Sequence, residues 1–290
     1  MKKVLALLGV LFVAGSVSAA LVIEESFDYG SSLAPGANIA GANGGTGFTG
    51  AWVNTRNSPD YDEPGNTAGD LQVAGGRVKG NAWSGIARPI GSTLADANLL
   101  DDGATLWFSV IFDLTSANTS NADLNLALTN GAKFDSGTFA NRENLAVASD
   151  EGIGVTHSGG NIRAVYWDNA GGRTESGASS LSIGGANPAS ALIAGEIVWG
   201  AGSETITLYA PNTNLGLGSA ITSLTTTGNL TQSSFNNLAL QFKDTPWMDE
   251  IRFGATSADV LPTAIPEPST LALLGLGVLG LGISRMRRRK

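Results

Sequence analysis

The stretch Thr105-Leu106-Trp107-Phe108-Ser109-Val110-Ile111-Phe112-Asp113-Leu114 places Leu106, Phe108, Val110, Phe112 and Leu114 at every second position. Side chains two residues apart share a face only in an extended chain, so this segment reads as a strand with one apolar face. Leu238, Leu240 and Phe242 alternate likewise, with Ala239 and Gln241 opposite. Residues 162–167, 193–199 and 248–253 are further candidate strands. Gly159-Gly160-Asn161, Asn169-Ala170-Gly171-Gly172 and Gly184-Gly185-Ala186-Asn187 punctuate them. Between residues 21 and 261 no long amphipathic helix is found. Many short strands with such punctuation predict an all-β, antiparallel sandwich or barrel. No fixed-period repeat points to a solenoid or propeller.

Glycine numbers 39 in 290 residues, and 42% of the chain is hydrophobic, enough to bury a core. The formal net charge of −8 is unevenly spread. Without Lys2, Lys3, Glu267 and the five C-terminal cations, 10 basic and 24 acidic residues remain, so the body carries about −14. Such a body is repelled by a phosphate backbone, which argues against nucleic acid as a partner. It suits divalent cations or neutral glycans. There is no cysteine, which removes disulfides, thiolate metal sites and thiol nucleophiles.

The two ends are built differently. Lys2-Lys3, an apolar run over 4–14 and small residues at Val17-Ser18-Ala19-Ala20 form the three parts of a secretory signal peptide. Cleavage is expected after Ala19, with Ala20 as second choice, and export by the Sec machinery follows. Residues 269–284 carry no charge and are rich in Leu and Gly. As a helix rising ~1.5 Å per residue they reach about 24 Å, slightly short of a ~30 Å hydrocarbon core. Arg285, Arg287, Arg288, Arg289 and Lys290 follow, and positive charge is retained on the cytoplasmic side. A transmembrane helix with a basic stop-transfer tail is therefore expected, with the body outside. Pro266-Glu267-Pro268 stands just before it and reads as an extended stalk, since two prolines cannot sit in a helix interior.

This order of Pro-Glu-Pro, short Gly/Leu-rich helix and basic terminus resembles the PEP-CTERM sorting signal of bacterial exported proteins. The resemblance implies that Pro266, Glu267 and Pro268 are recognised by an exosortase. It also implies inner-membrane anchoring, then a place at the cell surface or in an extracellular matrix with exopolysaccharide. In the body, three pieces resemble laminin-G-like or concanavalin A-like jelly rolls. They are Glu25-Ser26-Phe27-Asp28-Tyr29 with the glycine-rich stretch to Trp52, the hairpin from Ile197 through Gly200-Ala201-Gly202-Ser203 to Leu208-Tyr209, and Trp247-Met248-Asp249-Glu250-Ile251-Arg252-Phe253-Gly254. In those folds the first and last strands pair. The expected organisation is a signal peptide over 1–19, a β-sandwich over 20–262 and a sorting signal over 263–290.

Chemistry in the body is sparse. His157 is the one histidine; a triad would have to use it, and no nucleophile-elbow sequence accompanies it. An exposed place at a strand end is expected for it. Some jelly-roll glucanases set acids on one strand as Glu-x-Asp-x-x-Glu, a spacing absent here. Asp249-Glu250 and Glu24-Glu25 are adjacent, and neighbours on a regular strand point to opposite faces. Asp60, Asp62, Glu63 and Asp70 form an acidic loop whose oxygens could take calcium. Of six tryptophans, Trp107 lies opposite the Leu106/Phe108 face and is the candidate for stacking on a sugar. The expectation is a non-enzymatic surface or matrix protein, glycan-binding or purely structural; a glycoside hydrolase is the third alternative.

Overall fold

The alternating segment at 105–114 becomes a central strand of one of two packed sheets. The computed structural model describes residues 21–33, 36–54, 72–73, 75–80, 84–115, 122–131, 150–168, 172–183, 189–212 and 216–262. Its strands are β1 (Leu21–Glu25), β2 (Ala37–Asn38), β3 (Val53–Asn54), β4 (Gln72–Val73), β5 (Val78–Lys79), β6 (Ser84–Pro89), β7 (Thr105–Asp113) and β8 (Asp123–Thr129). They continue with β9 (Gly152–Ser158), β10 (Asn161–Trp167), β11 (Arg173–Glu175), β12 (Ser190–Val198), β13 (Thr205–Tyr209), β14 (Ala220–Thr225), β15 (Asn237–Lys243) and β16 (Trp247–Gly254). Two single-turn α-helices, α1 (Thr93–Asp96) and α2 (Ser257–Val260), and two 3-10 turns, Gly30–Ser32 and Gln232–Ser234, complete the described elements. No helix among the described residues is long and apolar enough to cross a membrane. The expected signal peptide, the sorting motif, the span at 269–284 and the basic tail lie outside the described residues.

The first sheet runs β14-β13-β12-β7-β16-β5-β4-β2, with β1 also on β16; the second runs β11-β10-β9-β8-β15-β6-β3. All pairings are antiparallel, including β1 with β16, so the first and last strands do join. The fold is an all-β sandwich, as the alternation predicts. Leu106, Phe108, Val110, Phe112 and Leu114 are buried together with Leu238, Leu240 and Phe242 from the facing sheet. The hairpin expected at 197–209 forms as β12–β13.

Glycine sets the depth of this core at two places. Gly195 on β12 pairs with Phe108 on β7, and a Cβ there would overlap the Phe108 ring. The ring thus lies across the bare backbone and packs on Phe253, with centroids 5.9 Å apart. Gly154 on β9 sits so close to the Leu126 carbonyl that a Cβ would overlap it. The second sheet is buried on its other face too. Ala87, Ala239, Ala127, Gly154 and Val165 fall in register across five strands, and the four with side chains join Trp167 in a second buried cluster. Beside them Asn125 Nδ2 donates to Gln241 Oε1 at 2.8 Å, and Arg173 donates to Thr156 Oγ1 at 2.9 Å.

One ion pair bridges the sheets at the end of the core. Glu25 on β1 and Arg88 on β6 have side chains 1% exposed and meet at 2.5 Å. Arg88 also donates to the carbonyls of Gly50 and Gly44 and to Asn43 Oδ1. Glu25 accepts from the Phe27 amide, the Tyr29 hydroxyl and Trp52 Nε1. The guanidinium lies 3.9 Å from the centroid of Phe48. Glycine-rich backbone from 43 to 50 is thereby held against both sheets by a buried cation, whose own pKa burial lowers while Glu25 opposes the shift.

Candidate functional site

Parity along β7 decides what faces out of the first sheet. Residues 106 to 112 at even numbers point inward, so Trp107, Ser109, Ile111 and Asp113 point outward. Trp107 opposes Glu196 on β12, Glu196 opposes Thr207 on β13, and Thr207 opposes Ser223 on β14. The next row outward is Val198, Thr205 and Thr225. Trp107 is half-buried, and its ring lies nearly parallel to Tyr209, at 28° with centroids 5.7 Å apart. Tyr209 donates its hydroxyl to Glu196 Oε2 at 3.1 Å. Burial, then the Glu196 carboxylate, raises the Tyr209 pKa, so the phenol stays a donor at neutral pH. Outward hydroxyls pair across strands, Thr205 with Thr225 at 3.1 Å and Thr207 with Ser223 at 3.3 Å. Thr225 and Ser223 are exposed.

On the other side of Trp107 lies Gly254 of β16, against which Asp259 of α2 packs. Thr256 and Asp259 form a reciprocal cap for this turn, and Ser109 Oγ donates to the Val260 carbonyl at 2.7 Å. The result is an open, mostly uncharged shelf over β12–β14, carrying one aromatic pair. Tyr209 and Glu196 were not singled out from sequence. Their signal was the alternation Thr205, Thr207, Tyr209, which marks one outward face.

The remaining tryptophans divide by position. Trp52, Trp167 and Trp199 are buried at 1% exposure each, whereas Trp247 is half-buried between Arg77 and Lys79, with the Arg77 guanidinium 4.3 Å from its ring centroid. Trp83 lies outside the described residues.

Two expectations about chemistry are corrected. His157 is fully buried rather than exposed: it pairs with Leu124 on the inward face of β9. Its Nε2 is 2.7 Å from the Ile183 carbonyl and its Nδ1 is 3.0 Å from that of Ala122. A backbone carbonyl thus faces each nitrogen, of which the neutral ring can donate to one, and burial lowers the pKa against the pull of those carbonyls and Asp123. The second correction concerns Asp249 and Glu250, which were expected to face opposite ways. A bulge between Asp249 and Arg252 breaks the alternation, and Glu250 takes φ of 51°. Asp249 and Glu250 therefore line one depression with Ser26, Asp28, Gly75 and Gly76. Burial raises the Asp249 pKa to about 7; the Glu250 amide and carboxylate act in opposite senses, and Arg77 and Arg252 lower it.

No group of three or more His, Cys, Asp or Glu among the described residues is placed to hold a metal. Asp60, Asp62, Glu63 and Asp70, the expected calcium ligands, lie outside the described residues. Glu24 sits near Arg252 at 3.3 Å, and its neighbour Glu25 is the buried partner of Arg88.

The fold and its open face define the class, an all-β sandwich of two antiparallel sheets. Residues 264–289 match the PEP-CTERM protein-sorting motif. The chain thus carries the signal of an exported protein recognised by exosortase and processed at the membrane. No curated protein matches it. Among solved structures it is similar to the CBM2 module of the evolved Dit of Lactobacillus casei BL23 phage J-1, at 14% identity and TM-score 0.38, covering 76% of this chain and 95% of that one. A β-1,3-glucanase from Mycobacterium marinum is similar at 11% identity and TM-score 0.40, covering 81% and 99%. The botulinum neurotoxin serotype C1 binding domain is similar at 10% and 0.39, covering 66% of this chain and 44% of that one. At these identities and scores no activity passes from them to this chain.

Proposed function

We propose that the protein is a non-enzymatic, exosortase-sorted surface or matrix protein that binds glycan through its sandwich. In this reading 1–19 is removed on export, 20–262 is the working domain, and 263–290 anchors it until exosortase acts at Pro266, Glu267 and Pro268. The basic tail at 285–290 holds the orientation, and exopolysaccharide is the partner outside. The observation that carries the glycan-binding reading is the Trp107–Tyr209 pair on an outward sheet face, with Tyr209 tied to Glu196. Aromatic faces pack on the apolar C–H face of a pyranose, and a carboxylate beside them accepts from its hydroxyls. The sealed His157 speaks for a non-enzymatic role, because its ring is fully buried with a backbone carbonyl against each nitrogen. Asp60, Asp62, Glu63 and Asp70 remain the calcium ligands of this reading.

The test is a glycan array with the full chain in detergent micelles, run with calcium and then with chelator. Binding that falls on Trp107→Ala supports the reading, and sensitivity to chelator assigns a role to calcium. Absence of binding to every glycan on the panel leaves a purely structural matrix role. That second reading has one observation in its favour: Trp107 is already half-buried and stacked on Tyr209.

A further inference from the structure

We infer that the glycan face extends from Trp107 across β12, β13 and β14, and that its ligand is an uncharged, linear polysaccharide lying across the strands. The inference rests on the glycan-binding reading and adds to it both the path of the chain and its chemical class. The row Trp107, Glu196, Thr207, Ser223 crosses three strand spacings, about 14 Å at ~4.8 Å each, which is the length of a short oligosaccharide rather than of one sugar. Every group after Trp107 in that row can exchange hydrogen bonds with sugar hydroxyls. Thr205 and Thr225 repeat the pattern one row further along the strands.

Shape and charge narrow the ligand. Beyond Tyr209 the outward positions Thr205, Thr207, Ser223 and Thr225 carry only short hydroxyl side chains on one sheet face, so a branched or compact sugar would leave most of the row unused. Glu196 is the one charged side chain among the outward positions of β12, β13 and β14. With a body near −14, that carboxylate disfavours a polyuronate or sulfated chain and suits a neutral one. Hydroxyl pairs such as Thr207–Ser223, at 3.3 Å, are weak enough to open and turn toward a ligand at small cost.

The experiment compares the full chain in detergent micelles for binding to a neutral β-glucan and to alginate, as wild type and as three variants. Trp107→Ala tests the aromatic end. Thr207→Val with Ser223→Ala removes the hydroxyls of the row with little change in shape, and Thr207→Ser retains both. The extended face predicts preference for the glucan, about tenfold weaker binding in the hydroxyl-less variant, and near wild-type binding in Thr207→Ser. Melting curves of the two hydroxyl variants should coincide with wild type within about a degree, whereas Trp107→Ala loses the stack on Tyr209 and should melt a few degrees lower, so its binding is read well below its own melt. If Trp107→Ala weakens binding but the hydroxyl-less variant does not, the extended face is wrong and the Trp107 reading stands. Equal or tighter binding to alginate overturns the neutral-chain assignment. If neither polysaccharide nor any array glycan binds, the glycan-binding reading itself falls.

Discussion

Replacing Arg88 by Met removes the one cation from a site where Glu25 is 1% exposed. The side chain of similar length keeps the volume filled, so the effect is electrostatic. Glu25 retains three neutral donors, from Phe27, Tyr29 and Trp52. The carbonyls of Gly44 and Gly50 and the Asn43 amide oxygen lose theirs. Breaking one partner of a buried pair costs about 3–5 kcal/mol. At ~2–4 °C per kcal/mol for a domain of this size, the melting temperature should drop by about 6–20 °C. The double change Glu25→Leu with Arg88→Met should recover part of this, because no charge is then left buried. Recovery stays incomplete, since the Tyr29 hydroxyl and Trp52 Nε1 lose their shared acceptor. Thermal unfolding of the full chain in micelles, followed by tryptophan fluorescence, reads the result directly beside Trp52. A loss below ~1 kcal/mol in Arg88→Met, the range of an exposed pair, would refute the claim that this ion pair is sealed between the sheets.

Gly195→Ala drives a methyl into the Phe108 ring and should destabilise by about 1–3 kcal/mol, with partial rescue by Phe108→Leu; an unchanged melt would show that the ring has room to move. Asp249, whose pKa burial raises from 3.8 to about 7, holds its proton longer folded than unfolded, so its contribution to stability is complete below pH ~4 and lost as pH rises through 7. Asp249→Asn should remove that loss in melts run between pH 4 and pH 8, and a variant with the wild-type pH slope would contradict the assignment. His157 has the opposite sign: its folded pKa is lowered, so its contribution is complete above pH ~6.5 and declines below it. Melts of wild type and His157→Gln between pH 7.5 and pH 5 check this; stability that rises on acidification in the wild type alone would mean that the ring is held as imidazolium, donating to both Ala122 and Ile183.

Strand-level structure was legible wherever one face is wholly apolar. At 105–114 and 238–242 the period-two pattern marks the inward face because both sheets demand it of their central strands. His157 was misread although Ile153, Val155 and His157 share the same parity, and the two residues before it already pointed that face inward. A polar group is tolerated at this position because a backbone carbonyl from a distant segment lies within reach to accept the ring N–H, which neighbouring sequence does not announce. The bulge at Glu250 was hidden for a related reason. A glutamate at positive φ carries no local signal of the kind glycine or asparagine would give. Its conformation is imposed by the register of β16 on β7 either side of it.

The candidate site was half legible, and the division has a physical cause. Trp107 could be placed outward from β7 alone, because parity within one strand suffices. Its partner Tyr209 could not, since their contact requires two registers at once: Trp107 opposite Glu196, and Glu196 opposite Thr207. A slip of one residue in either pairing would turn Tyr209 or Glu196 into the core and dissolve the aromatic pair. Those registers are held in turn by Phe108 lying on Gly195 and by Ile197 and Ile206 meeting inside, so the outward shelf is specified by inward packing. A change at Gly195 should therefore weaken glycan binding even though no ligand would touch it, and by more than its loss of stability alone would explain if the register, rather than the fold, gives way first.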